Sequence, residues 1–205
     1  MIQQSQTPSG PFTDYASEDV RALIGEYPLA WVCSLATGAA THLPLIGEYD
    51  GEGQLTGLIG HFPRSMGLEE AFAADPRALI LFTGPQGYVS AEMAGRTNWA
   101  PTWNFAQLRI EATITLQPER TEEALQILLD TMERDAHTPW RIANLGERYP
   151  GMLRRIVGFR ADIATLEGRF KLGQDEDIET LRSILAAIRD PALLRWMQRM
   201  NRGRL

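Results

Sequence analysis

This 205-residue chain is poor in the residues that most often carry chemistry: it has one cysteine and three histidines. A lone thiol excludes an intrachain disulfide, and Cys33, set in the apolar run LAWVCSLA, reads as a buried structural thiol rather than a reactive one. The histidines, His42, His61 and His137, form no HExxH, so a zinc hydrolase lacks its ligands. GxSxG, GxGxxG and GxxxxGK[ST] are missing too, which removes the α/β-hydrolase, Rossmann and P-loop readings. No apolar run approaches the roughly 20 residues that span a bilayer. The opening MIQQSQTPSGPF has neither the basic head nor the apolar stretch of a secretory leader. The expectation is a soluble, cytoplasmic protein with no membrane partner. Basic residues are outnumbered, 20 against 26 acidic, for a net charge of −6. That balance, with no recognisable helix-turn-helix, argues against direct nucleic-acid binding. The exception is RWMQRMNRGRL, where Arg195, Arg199, Arg202 and Arg204 suit either a helix C-terminus or a tail that contacts phosphate or a partner.

What is present fits an ordinary globular domain: 44% apolar and 22% charged residues, long enough to bury roughly 70% of the unfolded surface. Residues 1–11 are polar and expected to fray. SEDVRALIGEYP predicts a helix capped by Ser17 and ended by Pro28. Short β-type runs follow at 29–36, 41–49, 54–62, 77–84 and 88–93, punctuated by Gly, Asp and Pro. A helix is expected in RSMGLEEAFAADP, a long strand from Trp103 to Leu116, and an amphipathic helix over 121–135. Extended character returns over 156–173, and Ile178, Leu181, Leu185 and Ile188 then form a helical stripe. Many short strands with helices at the margins predict a mainly β protein, a closed antiparallel barrel rather than a βαβ sheet.

Three stretches are candidates for chemistry. In GHFPRSMGLEEAF a strand ends at His61–Phe62 and Arg64–Ser65 stand at an expected helix start. A forked cation, a hydroxyl and free N–H groups there would suit a phosphate, or Ser65 simply caps the helix and Arg64 is solvated. In NWAPTWNF, Trp99, Trp103 and Phe105 alternate with Asn98, Thr102 and Asn104, and Gln107 follows. The rings could plug a barrel end, or rings and amides together could hold a planar ligand with polar edges. In EGRFKLGQDEDIETL, Arg169 and Lys171 share one side of a strand with Phe170 opposite, as ligand contacts or as ordinary strand charges.

Taken in order, THLPL (41–45), GHF (60–62), PTWNF (101–105) and IVGF followed by LEGRFKLGQ (166–174) resemble the PaiB-like family of FMN-binding proteins, often labelled negative transcriptional regulators. The resemblance runs from about Pro11 to Arg189. It implies the split barrel of the pyridoxamine-phosphate-oxidase-like proteins over 12–174, a C-terminal helical segment over 175–205 packed on the barrel or on a partner, and a homodimer with FMN at the interface. It also implies which residues lie near the flavin: His42, His61, Phe62, Arg64, Ser65, Trp103, Asn104, Gln107, Lys171 and Gln174, with Arg64–Ser65 at the phosphate. Three strings depart from the family form: RSMGLEE follows the GH motif, VSAEMAG (89–95) stands where a Ser-Pro-Ser-Trp-Tyr-like segment is usual, and KLGQDE where a serine and neutral or basic groups are usual. Three functions follow: a flavin-dependent oxidoreductase or redox- or metabolite-responsive regulator of unknown substrate; a non-catalytic transcriptional regulator that acts through partners with weak or lost flavin binding; or a haem-binding barrel with His42 or His61 as axial ligand.

Overall fold

The computed structural model describes residues 10–205, so the expectation for 1–11 falls mostly outside the described residues. Seven strands make one antiparallel sheet: β1 (Leu29–Ser34), β2 (Ala40–Pro44), β3 (Ile46–Tyr49), β4 (Leu55–Pro63), β5 (Arg77–Val89), β6 (Thr102–Leu116) and β7 (Ile156–Lys171). Their order is β2-β1-β5-β6-β7-β4-β3. That order dictates closure. β2 and β3 are the two outer edges of the sheet, yet only Leu45 separates them in the chain. Edges joined by one residue must curl together, and because they are not hydrogen-bonded neighbours the barrel is split.

β6 alternates throughout. On β6, Asn104, Ala106, Leu108, Ile110, Ala112 and Ile114 face the buried interior. Phe62, Phe82 and Phe159 fill that interior, with the Phe62 ring 5.4 Å from Phe159 and 6.3 Å from Phe72. Helices close the barrel: α1 (Ser17–Glu26), α2 (Leu68–Ala74), α3 (Thr121–Met132), α4 (Tyr149–Leu153), α5 (Ile178–Ala187) and α6 (Pro191–Met200). On α6, Trp196 stacks on Phe170 at 5.9 Å, and its indole N–H donates to Glu26 of α1 at 3.1 Å.

The local chemistry departs from expectation in several places. Ala16, not Ser17, is the N-cap of α1, and the Asp19 carboxylate reaches back to accept the Ala16 N–H at 2.9 Å. The run 41–49 is cut at Leu45, which is fully buried and donates its N–H to the Pro28 carbonyl. The runs 77–84 and 88–93 are instead one strand as far as Val89, because a register shift between Thr83 and Gln86 absorbs Gly84 and Pro85. The helix expected over 121–135 stops at Met132. Finally, RSM is a separate 3-10 turn; Gly67, at φ +69°, breaks the chain before α2 begins at Leu68.

Candidate functional site

Alternation that points Val32, Ile80 and Leu108 inward must point their neighbours outward. Cross-strand registers set these into rows: Trp31 lies beside His42 and Leu81, Leu81 beside Arg109, and Thr83 beside Gln107, which pairs with Arg169. Much of this face is apolar but uncovered. Leu29, Trp31, Leu35, Tyr88 and Trp103 are each about half exposed, an unusual concentration for the solvent side of a sheet.

A concavity of about 340 Å³ opens on this face, lined by Thr83, Gln86, Trp103, Phe105, Ala106 and Gln107. The Trp103 indole N–H donates to Gln86 Oε1 at 3.0 Å, and its ring lies 6.0 Å from Tyr88. This bond orients the Gln86 amide and leaves its NH₂ without a partner among the described residues, as is the whole Gln107 amide. Lys171, opposite Phe105, donates to Thr102 Oγ1 and at 3.5 Å to the Trp103 carbonyl, which holds the tryptophan's backbone. Thr83 and Gln86 were not singled out from the sequence. The signal that would have found them is the pairing of β5 with β6, which no single strand's pattern contains.

The remaining residues near the implied flavin fall elsewhere. Asn104 is buried on the opposite face of β6, with its amide 3.6 Å from Met197 Sδ. The Gln174 amide is used at both ends, accepting from Leu172 N–H at 2.7 Å and donating to the Phe170 carbonyl at 2.6 Å. Phe62 belongs to the core. Arg64 and Ser65 are exposed, but Arg64 holds the Glu69 carboxylate in an ion pair. His61 lies mostly buried opposite Gly158, and burial pushes its pKa down. His42 is exposed on the edge strand β2, its ring 3.8 Å from Trp31. The C-terminal cations are largely engaged within the chain: Arg199 pairs with Asp19 at 2.6 Å, Arg195 with Glu26 at 3.5 Å, and Arg204 binds loop carbonyls.

Two clusters thus stand apart. Pro63, just before Arg64, pairs with Ile156 at one end of β7, whereas Phe105 pairs with Lys171 at the other. At about 3.3 Å per residue the strand path between them is roughly 50 Å.

The family model described as "Putative FMN-binding domain" matches residues 8–165. The chain belongs to this FMN-binding family. In keeping with the PaiB-like resemblance, it is 29% identical over 141 residues to protease synthase and sporulation protein PAI 2 of Bacillus subtilis, covering 67% of this chain and 66% of that protein. An uncharacterised protein of Aspergillus fumigatus is 29% identical over 120 residues, 47% of this chain and 46% of that one. The chain therefore spans less than two thirds of the length of these curated relatives. Among solved structures, an FAD and haem binding protein from Mycobacterium smegmatis superposes with a TM-score of 0.58 at 18% identity, covering 85% of this chain and 80% of that one. A flavocytochrome from Azotobacter vinelandii gives 0.57 at 17%, covering 82% and 74%. At such identities the likeness establishes the fold, a split barrel. The concavity fits the family's cofactor: an aromatic wall beside amides with free donors and acceptors suits the face and polar edge of a flat heterocycle.

Proposed function

We propose that this chain is a cytoplasmic flavin-dependent redox protein that binds FMN between two copies of itself. The observation that carries this reading is the half-exposed Trp103 indole beside the unpartnered Gln86 and Gln107 amides, set in an uncovered apolar sheet face. The ring system would lie against Trp103, with Gln86, Gln107 and Thr83 at its edge. Arg64 and Ser65 would take the phosphate. Because these clusters occupy opposite ends of β7, one flavin meets both only where a second copy brings its Arg64 turn to the first copy's Trp103. Bound FMN would supply two-electron redox chemistry, for which this chain, with one cysteine, has no dithiol pair. None of the six lining residues titrates, so the chain's share is to bind and orient the ring and to exclude water from one face. Whether the electrons serve turnover or signalling, the flavin site is the same.

Flavin titrations test this. The wild type should bind FMN more tightly than riboflavin, which lacks the phosphate. Arg64→Ala should weaken FMN by about tenfold, in line with about 1.5 kcal/mol for a charge-assisted contact, and leave riboflavin unchanged. Glu69→Gln should tighten FMN, since the phosphate then has no carboxylate to displace. Equal losses for both flavins would move the phosphate away from Arg64.

A further inference from the structure

A second pocket, of about 300 Å³, lies away from the flavin face, between α1, the β2–β3 corner and the end of α3. Its accessible wall is carbon, from Pro28, Ile46 at the corner and Met132 at the end of α3, the last left 46% exposed, over the buried Ile24 and Leu45. The Tyr49 ring also lines it and lies across Gly47 so closely that any Cβ there would collide with the ring and its hydroxyl. Two cations belong to its lining. The Arg21 guanidinium sits 4.1 Å above the Tyr49 ring, and Arg134 follows the end of α3. Eight other arginines of this acidic chain hold a carboxylate. Among the described residues neither Arg21 nor Arg134 has one, and the Tyr49 hydroxyl has no hydrogen-bond partner.

Apolar walls with a few convergent polar groups are the usual make-up of a small-molecule site. Stacking on Tyr49 holds Arg21 in place without neutralising it, so its forked donors stay available to an anion. We infer that this pocket binds a small aromatic carboxylate, its ring against Ile46, Tyr49 and Met132 and its carboxylate between Arg21 and Arg134. The site is independent of the flavin reading and shares no residue with it.

The probe is 1-naphthoate, whose fluorescence anisotropy reports binding to the full-length protein, with neutral 1-naphthalenemethanol as the matched control. The acid should bind saturably, one per chain, and at least tenfold more tightly than the alcohol. Arg21→Gln should erase that preference. Gly25→Leu should abolish binding while the protein stays folded, because a Cβ at Gly25 meets nothing within 4 Å and the longer side chain would enter the pocket. Saturating FMN should leave naphthoate affinity unchanged. Absence of saturable binding, equal affinity for acid and alcohol, or displacement by FMN would each overturn the assignment.

Discussion

His61 shows how one side chain ties sequence position to behaviour in solution. It lies on β4 opposite Gly158, where the start of α3 comes so near that a Cβ on Gly158 would be 2.9 Å from Thr121 Cα. Its Nδ1 is buried with no hydrogen-bond partner, and desolvation holds its pKa below the ordinary 6.5. A buried neutral imidazole binds fewer protons than the unfolded chain, so its contribution is intact above pH 6.5 and is lost as pH falls from there toward the lowered folded value. Urea unfolding at pH 7.5 and 5.5 should show wild-type stability dropping on acidification. His61→Gln should show a smaller drop. Equal drops would place the acid sensitivity elsewhere. The sequence marked His61 as chemistry-bearing from its place at a strand end. It could not show the burial, because that comes from α3, some sixty residues on, folding back over the strand.

Among elements, the loop after β7 is held by a device the sequence gives little sign of. Asn201 donates to the Leu172 carbonyl at 3.0 Å, and Arg204 donates to the carbonyls of Gly173 and Gln174 at 3.2 and 3.0 Å and also to that of Glu176. Glu176 in turn accepts the Trp99 indole N–H at 3.0 Å, so the altered KLGQDE string is pinned to the approach of β6 from both sides. Arg204→Ala should raise amide hydrogen exchange across Gly173–Glu176 and cost about 1–2 kcal/mol of stability, less than the sum of its bonds because the guanidinium is partly solvated. Unchanged exchange would make the clamp cosmetic. Periodicity made the strands legible: alternation alone puts Trp103 opposite in sense to Asn104, and the buried Asn104 follows that rule rather than the motif it sits in. Boundaries set by tertiary contact were hidden. Leu45 breaks a β-run because the barrel closes there, and Gly67 separates Arg64 from α2 through a left-handed turn that a helical composition conceals.

At the scale of the whole molecule, the sheet face with Leu29, Trp31, Tyr88 and Trp103 is half exposed, and the Arg64 turn and the Trp103 concavity lie at opposite ends of β7; the proposed dimer would cover the first and join the second. Surface chemistry agrees on where such a contact would form: the C-terminal arginines are mostly engaged within the chain, whereas the aromatic face is not. Trp31→Glu, a charge set into that face without touching the concavity lining, should therefore weaken dimerisation and flavin binding together. A variant that stays dimeric and keeps its affinity would uncouple the two. The most direct measurement is sedimentation velocity with visible absorption, run on the wild type with FMN. A dimer carrying two flavins is the predicted result; a monomer that sediments with its flavin, or a dimer that leaves FMN free, would contradict the account.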